Sequence, residues 1–213
     1  MYGKRRLDMV EQQIRQRGVT DTRVLGAMET IPRDRFVPPD ARSQAYDDMP
    51  LAIGFNQTIS QPYIVAYMTE VLDVRDSHRV LEIGTGSAYQ AAVLARLARE
   101  VWTIEIVPQL AASATELLRD LGLNNVQVRL GDGYSGWPEQ APFDRIMATA
   151  APEDIPSPLL DQLAVGGRLV IPVGSQGGPQ WMMVVEKSSG GVVRNRTIPV
   201  QFVPLTRARK QSG

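Results

Sequence analysis

The sequence predicts an α/β fold with a doubly wound, mostly parallel sheet, and three observations support this prediction. From Arg79 onward, short apolar strands alternate with amphipathic helices, which is typical of repeated strand–helix–strand units. A glycine-rich turn joins the first of these strands to the helix that follows. The final strands lack a helical pattern between them, so we expect antiparallel pairing at that end of the sheet.

The region before Arg79 is predicted to be a helical extension. A first helix is expected over residues 5–17, with apolar positions at helical spacing: Leu7, Val10 and Ile14. Asp21 can cap a second short helix, and residues 32–54 are rich in Pro, Asp and Arg and are predicted to be irregular. A third helix is expected to start near Gln61, with the Ser60 hydroxyl as its cap.

The elements of the core follow in order along the chain. Apolar runs predict buried strands at RVLEIG, VWTIEI, VQVRLGD, FDRIMATAA and RLVIPVG. Helical patterns separate them at YQAAVLARLA, PQLAASATELLRDLG and residues 158–163, and Gly166-Gly167 is expected to stop the last helix. WMMVVEK and VVRNRTIPVQFVPL are predicted to be the closing strands.

The amino-acid composition limits the kinds of catalytic and binding site that the chain can form. The 213 residues include 23 Lys+Arg and 23 Asp+Glu, so the net charge gives no reason to expect a nucleic-acid partner. The chain has no cysteine and a single histidine, His78, which lies in a polar turn. Thiolate nucleophiles are therefore excluded, and a zinc site is not expected. Any enzymatic chemistry must proceed without a thiol and, we expect, without imidazole.

The strongest local signal is VLEIGTGSAYQAAVLA, which places Gly84, Gly86 and Ala88 between a strand and a helix. Small residues allow a tight turn and a close approach of the backbone to a ligand. Glu105 ends the next strand, where this fold places an acidic side chain for ribose hydroxyls. Asp132 follows the third strand and is a candidate for reading an adenine edge, although an Asp-Gly turn is the simpler interpretation.

These features predict an adenosine-containing cofactor but do not cleanly separate NAD from S-adenosylmethionine. The acidic Glu82 before the glycine loop favours the latter, as do the antiparallel sheet end and the lack of a His or Tyr-Lys arrangement for hydride transfer. An NAD-dependent oxidoreductase, a methyltransferase of a small molecule or nucleic acid, and a non-catalytic adenosine-binding module remain alternatives.

At these residues the chain resembles class I S-adenosylmethionine-dependent methyltransferases, which have a Rossmann-like sheet. NQTISQPYIVAYM is similar to the family of protein-L-isoaspartate O-methyltransferases, and the similarity runs from about Arg5 to Thr206. The resemblance implies transfer of the S-adenosyl-L-methionine methyl group to the free carboxylate of L-isoaspartyl residues in damaged proteins and peptides. It also implies S-adenosyl-L-homocysteine as product, no metal, and cyclisation of the ester to a succinimide as the start of repair.

The resemblance makes Ser60 the candidate catalytic residue, which would orient the acceptor carboxylate by a hydrogen bond. Pattern and resemblance together predict these cofactor-binding residues: Gln57, Thr58, Ile59, Glu82, Gly84, Thr85, Gly86, Ser87, Glu105, Asp132, Gly133 and Thr206. Two positions depart from the family pattern, because Asn56 and Ala88 stand where the family has glycine. We expect both to be tolerated.

The expected organisation is one methyltransferase domain over residues 1–213. A helical N-terminal extension (1–75) carries the active-site segment (54–63), and residues 76–206 form the cofactor-binding core. The charged N-terminus lacks an apolar signal core, and no window approaches the length of a membrane span. We therefore expect a cytoplasmic protein that does not bind membrane. The resemblance implies isoaspartyl proteins and peptides as partners, and we expect a monomer that does not bind nucleic acid.

Overall fold

The protein is described here by a computed structural model that covers residues 2–207. Its N-terminal part contains three α-helices and one hairpin, in chain order α1 (Tyr2–Met9), α2 (Thr22–Thr30), β1 (Leu51–Gly54), β2 (Gln57–Ile59) and α3 (Pro62–Leu72). A π-helical turn (Val10–Ile14) and a 3₁₀ turn (Arg15–Arg17) follow α1. Two further 3₁₀ turns, at Arg33–Phe36 and Pro39–Gln44, lie between α2 and the hairpin.

The core alternates strands and helices until its last three strands. Its elements are β3 (Arg79–Ile83), α4 (Tyr89–Ala95), β4 (Glu100–Glu105), α5 (Pro108–Asp120), β5 (Val126–Leu130), β6 (Phe143–Ala148), α6 (Ser157–Gln162), β7 (Leu163–Val173), β8 (Gln180–Ser188) and β9 (Gly191–Val200). Short 3₁₀ turns at Gly133–Ser135 and Pro138–Gln140 precede β6.

The sheet has seven strands in the order β5-β4-β3-β6-β7-β8-β9. Strands β3 to β7 pair in parallel, whereas β8 and β9 pair antiparallel, which confirms the predicted sheet. The chain moves outward from β3 to β5 and then returns to the other side of β3 at β6. Open α/β sheets bind ligands beside such a reversal, at the carboxyl ends of the strands.

Both faces of the sheet are covered, because successive strand residues point to opposite sides. On one face Val80 joins a cluster that includes residues of α1 to α5. On the other face Leu81 and Ile83 join a cluster with Trp102, Phe143 and residues of α6. The central strands are therefore buried on both sides, which explains why apolar residues occur on both faces of each strand rather than on one.

The predicted first helix differs from the observed one. Its regular turns end at Met9, and Val10–Ile14 is wound as a π-helix before Gly18 ends the segment at φ +96°. Five-residue spacing brings Met9 and Ile14 to the same face, and both are fully buried. Leu7, the other apolar residue at helical spacing, is 54% exposed.

Two predicted ends were also wrong, and the β1–β2 hairpin was missed. Helix α3 is capped by Gln61 without a side-chain bond, so Ser60 is not the cap. The helix before β7 ends at Gln162, and Gly166-Gly167 lies in a bulge within β7. The hairpin turns through Phe55 and Asn56, both at positive φ, whereas the usual signal for such a turn is Asn-Gly.

Candidate active site

A cleft lies at the carboxyl ends of β3, β4 and β6, and we name it the inner cleft. Its volume is about 750 Å³, a figure that includes space open to solvent. Eleven of the thirteen predicted site residues line it: Ser60, Gln57, Thr58, Ile59, Gly84, Thr85, Gly86, Ser87, Glu105, Gly133 and Thr206. Glu82 and Asp132 do not line it.

The glycine loop (residues 84–87) forms one wall of the inner cleft. Gly84 and Gly86 have φ values of +95° and +51°. The Gly84 N–H donates to the carbonyl oxygen of Ile104 at 2.8 Å, which ties the loop to β4. A Cβ atom at Gly84 would lie 2.6 Å from Oγ1 of Thr149, and that hydroxyl donates to the Gly84 carbonyl. Only glycine fits this close approach at residue 84.

Glu105 lies at the end of β4 and is 5% exposed. Its Oε2 accepts a hydrogen bond from the Gly86 N–H at 2.7 Å, and its Oε1 accepts from the N–H groups of Ile106 and Val107 at 2.9 Å each. A carboxylate has about four acceptor sites, so about one is left for a ligand in the cleft. A ribose hydroxyl is a donor of the right kind, and this role for Glu105 stays a prediction.

Glu82 lies beneath the glycine loop and is fully buried. One carboxyl oxygen accepts a hydrogen bond from Thr103, whose hydroxyl is also bonded to that of Thr85 at 2.7 Å. The other oxygen has no hydrogen-bond partner within residues 2–207. Burial, with a smaller effect from the nearby Glu105, raises the pKa of Glu82 to about 8. The Glu82 carboxyl is therefore mostly neutral at pH 7, and it reaches the cleft only through two hydroxyl groups.

Asp132 acts as a turn residue in this structure. Its carboxylate accepts a hydrogen bond from the Tyr134 N–H at 2.9 Å and caps the 3₁₀ turn Gly133–Ser135. The neighbouring Gly133 lines the inner cleft, and a Cβ atom there would collide with the side chain of Ile83. The close approach at this corner therefore belongs to the Gly133 backbone, and an adenine contact of Asp132 stays a prediction.

The opposite wall is the hairpin wall (residues 57–60), which follows the turn of the β1–β2 hairpin. The side chain of Ile53 lies 3.6 Å from the position that a Cβ atom of Gly86 would occupy, so the hairpin reaches the glycine loop. The Ser60 hydroxyl makes no hydrogen bond to another residue of the described chain, which leaves it available to a ligand.

Ser60 also lines a second cleft, which we name the outer cleft and which opens to solvent beside the inner one. The two clefts share Thr58, Ser60, Thr149 and Val203. The remaining residues of the outer cleft come from the residue before β1, from the start of α3, and from the end of β9 and the segment after it: Pro50, Gln61, Ile64, Pro199, Val200, Gln201 and Phe202. Ser60 thus lies where the two clefts meet.

The two departures from the family pattern occupy left-handed backbone positions. Asn56 has a φ of +57° and is exposed at the hairpin turn. Ala88 has a φ of +69°, is fully buried, and is the N-cap residue of α4. Asn tolerates this region better than other side chains do, whereas Ala adopts it at a cost.

With this geometry in place, comparison with known proteins is direct. The family model for protein-L-isoaspartate(D-aspartate) O-methyltransferase (PCMT) matches residues 4–210. The chain belongs to the PCMT family. The resemblance read from the sequence is therefore confirmed.

Relatives named protein-L-isoaspartate O-methyltransferase support this assignment over nearly the full chain. The protein from Gloeobacter violaceus is 58% identical over 203 residues, which cover 95% of this chain and 99% of that protein. The protein from Opitutus terrae is 55% identical over 201 residues, covering 94% of this chain and 86% of its own.

Solved structures of PCMT proteins agree with the predicted fold class. One protein-L-isoaspartate O-methyltransferase superposes with a TM-score of 0.84 at 29% identity, covering 93% of this chain and 65% of its own. A Plasmodium falciparum protein, solved in complex with S-adenosyl-L-homocysteine, superposes with a TM-score of 0.82 and covers 95% of this chain and 99% of its own. At 24% identity this second likeness bears on the fold alone.

Several residues of the inner cleft in this PCMT family member were missed from the sequence. They are Val65, Ile83, Tyr89, Gln90, Ile104, Ile106, Thr149, Ala150, Val203, Pro204 and Leu205. Thr149 directly follows β6, so the rule that ligands bind at carboxyl strand ends could have found it. Residues 203–205 carry no periodic signal, and backbone hydrogen bonds with Ala151 hold them at the cleft.

None of the helices within residues 2–207 is both long and apolar enough to cross a lipid bilayer. In the same residues, no group of three or more His, Asp or Glu side chains is arranged to hold a metal ion.

Proposed function

We propose that this chain transfers the methyl group of S-adenosyl-L-methionine to the free carboxylate of L-isoaspartyl residues in damaged proteins and peptides. The observation that carries the proposal is the position of Ser60 between a glycine-walled inner cleft and an open outer cleft. Membership of the PCMT family and the names of relatives at 55–58% identity support the same activity.

The inner cleft fits an adenosyl cofactor on several counts. Gly84 and Gly133 let the backbone pack against Thr149 and Ile83, where a Cβ atom would collide, so the backbone itself forms the cleft wall. Glu105 keeps an acceptor for a hydroxyl group. The residues proposed to hold the cofactor are those of the glycine loop together with Gln57, Thr58, Ile59, Glu105, Gly133 and Thr206, with Glu82 and Asp132 acting from behind. When bound, S-adenosylmethionine supplies an electrophilic methyl group on a positively charged sulphur.

The chain's own contribution is to bind the acceptor, orient it and exclude water. A carboxylate has a pKa near 4, so it is already ionised at neutral pH and needs no general base. This agrees with two clefts lined, within residues 2–207, by neither histidine nor lysine. The Ser60 hydroxyl can donate a hydrogen bond to one acceptor oxygen and leave the other to react. Alignment of two reactants can lower a barrier by about 7–11 kcal/mol.

The test is methyl transfer to paired peptides of one sequence, one with L-isoaspartate and one with normal L-aspartate. We expect base-labile methyl incorporation into the isoaspartyl peptide only. Equal labelling of both peptides would refute the proposed specificity. Thermal shift with S-adenosylhomocysteine and with NAD tests the cofactor separately, because the preferred ligand raises the melting temperature by mass action. Stabilisation by NAD alone would favour the oxidoreductase alternative.

Ser60→Ala should lower kcat for the isoaspartyl peptide by at least tenfold and change S-adenosylhomocysteine affinity by less than threefold. The hydroxyl has no hydrogen-bond partner within residues 2–207, so the free energy of unfolding should change by less than about 0.5 kcal/mol. Ser113→Ala is the matched control, because Ser113 is exposed on α5 and far along the chain from both clefts. Equal kcat values for the two variants would remove Ser60 from the mechanism.

We propose in addition a cytoplasmic monomer that does not bind nucleic acid or membrane. Both walls of the inner cleft come from one chain, so a second copy is not required to complete it. The zero net charge and the lack of cysteine support the remaining parts. Light scattering during size-exclusion chromatography tests the monomer, since a mass near 47 kDa, about twice that of one chain, would contradict it.

A further inference from the structure

Arg33 is a buried cation directly behind the hairpin wall. Its side chain has no exposed surface. Its Nε donates to the carbonyl oxygen of Ala45 and its Nη2 donates to the carbonyl oxygen of Ser60, both at 2.7 Å. Its Nη1 has no hydrogen-bond partner within residues 2–207. The guanidinium therefore touches the backbone of the residue that lies between the two clefts.

Arg33 keeps its positive charge although it has no counter-ion in the part of the chain that the structure describes. Burial lowers its pKa to about 10, which still leaves it protonated at neutral pH. The ring of Tyr89 lies 4.8 Å from the guanidinium carbon and offers a cation–π contact. No carboxylate in residues 2–207 pairs with Arg33, whereas the nearly buried Arg145 has Asp73 at 3.7 Å. A buried charge is costly unless it is paired, so the missing anion calls for an explanation.

Within the described part of the chain, neither cleft has a basic side chain that could bind an acceptor carboxylate. Among residues 2–207, no lysine or arginine lines either cleft, and the inner cleft contains the Glu105 carboxylate. An acceptor carboxylate at Ser60 would therefore meet no positive side chain on the surface that it contacts. Arg33 lies behind the hairpin wall and contacts the Ser60 carbonyl, so its positive charge would favour binding of the acceptor carboxylate.

We propose that Arg33 is a positioning residue for the acceptor: its guanidinium fixes the Ser60 backbone and its charge attracts the acceptor carboxylate through the hairpin wall. This inference rests on the proposed function. With an effective dielectric constant of about 20, one charge changes the binding of an anion within roughly 10 Å by about tenfold or more. The same charge disfavours a positively charged sulphur in the inner cleft, so its effects on the two substrates have opposite signs.

Because the two effects have opposite signs, they distinguish the electrostatic role of Arg33 from a loss of its hydrogen bonds to the backbone. S-adenosylmethionine and S-adenosylhomocysteine differ by one methyl group and one positive charge, so the ratio of their affinities reports the local field. Arg33→Gln should raise KM for the isoaspartyl peptide by tenfold or more. It should also shift the affinity ratio about two- to fivefold towards S-adenosylmethionine. Loss of the hydrogen bonds alone would weaken both ligands together and leave their ratio unchanged, which would overturn the proposal.

Arg35→Gln is the matched control, because Arg35 is exposed two residues along the same turn and loses the same charge. All constants should remain within twofold for this variant. An equal shift of the affinity ratio in both variants would mean that net charge, and not the position of Arg33, is responsible, and this too would overturn the proposal.

Arg33→Lys keeps the test decisive if Arg33→Gln fails to fold, as circular dichroism would reveal. Lysine keeps the charge but lacks the planar fork that reaches two carbonyl oxygens, so we expect lower kcat with an unchanged affinity ratio. Wild type and Arg33→Lys should both bind the isoaspartyl peptide at least tenfold more tightly than the same peptide with that carboxylate converted to an amide. Equal binding of acid and amide would overturn the role of the charge. Wild type failing to methylate the isoaspartyl peptide would instead refute the proposed function itself.

Discussion

The two walls of the inner cleft are built by different means. The sheet wall consists of the glycine loop and the ends of β4 and β6, where strand periodicity and backbone hydrogen bonds fix each residue. The hairpin wall is a short turn and strand held from behind by Arg33. Each wall also covers a buried ionisable group that has no counter-ion among residues 2–207: Glu82 behind the first and Arg33 behind the second.

The two buried groups differ in the charge that they carry at neutral pH. A carboxyl group escapes the cost of a buried charge by binding a proton, and the pKa of Glu82 is accordingly raised to about 8. A guanidinium keeps its charge, because even a pKa lowered to about 10 leaves Arg33 protonated at neutral pH. The sheet wall is therefore backed by a group that titrates near physiological pH, and the hairpin wall by a permanent cation.

The largest expected effect comes from adding one methyl group to each wall. Gly84 and Gly54 have similar φ values, +95° and +87°, but only Gly84 has a neighbour within 4 Å of the added Cβ. Gly84→Ala should cost about 3 kcal/mol, from backbone strain and a displaced Thr149 hydrogen bond, and should weaken S-adenosylhomocysteine binding at least tenfold. Gly54→Ala should cost only about 1–2 kcal/mol of strain.

Urea unfolding and calorimetric titration of both variants check this contrast. Because the two substitutions have nearly the same intrinsic strain, the difference between their free energies of unfolding measures the packing at Gly84. Equal losses in the two variants would show that the sheet wall is no tighter than the hairpin wall.

Sequence reasoning was more successful for the sheet wall than for the hairpin wall, and the reason is physical. The strands that end at the cleft are continuous apolar runs with glycine and acid at fixed offsets, so local pattern predicts them. The hairpin wall depends on contacts between residues far apart in sequence, such as Arg33 with Ser60. Only the TISQPY resemblance indicated that segment, while the pattern suggested a helix cap at Ser60, which is wrong.

Glu82 illustrates a second limit on what the sequence can provide. Its position before the glycine loop suggested a direct cofactor contact. The sequence pattern places Glu82 on a strand but does not show whether its side chain faces the cleft or the buried interior. The partner strand supplies Thr103 as its hydrogen-bond donor, and that pairing follows from the register between β3 and β4.

An intermediate effect should appear in the pH dependence of stability. The Glu82 pKa is raised from 4.5 to about 8 on folding, so the native state holds a proton that the unfolded state has lost across that range. This contribution to stability is complete at low pH and is lost as pH rises towards 8, at about 1.4 kcal/mol per pH unit. Glu82→Gln should abolish it. Between pH 6 and pH 9, wild type should therefore lose about 2–3 kcal/mol more than the variant.

Urea unfolding at pH 6, 7, 8 and 9 measures this difference, and other titrating groups cancel because they are present in both proteins. Thr103→Val is a useful companion, because removing the hydroxyl that hydrogen-bonds the carboxyl should raise its pKa further and steepen the loss at high pH. Parallel curves for wild type and Glu82→Gln would show that the buried carboxyl does not titrate in this range.

The smallest expected effects concern the two departures from the family pattern, Asn56 and Ala88, which lie at left-handed backbone positions next to the hairpin wall and the sheet wall. Ala88→Gly relieves about 1–2 kcal/mol of backbone strain. It also loses about 0.8 kcal/mol of methyl burial and about 0.4–1 kcal/mol through the freer unfolded chain. These terms nearly cancel, so stability should change by less than about 1 kcal/mol. Asn56→Gly should change it by less than about 0.5 kcal/mol, because exposed Asn tolerates positive φ and buries no methyl group.

Urea midpoints and S-adenosylhomocysteine affinity for the two glycine variants decide whether these substitutions are silent. A gain well above 1 kcal/mol for Ala88→Gly, with none for Asn56→Gly, would mean that strain is stored under the sheet wall alone. A change in ligand affinity without a change in stability would mean that the Ala88 methyl group shapes the glycine loop from beneath. Small changes in both stability and affinity would show that the chain tolerates both non-glycine residues. At Ala88 the burial of the methyl group offsets the backbone strain, and at Asn56 the side chain adopts positive φ readily.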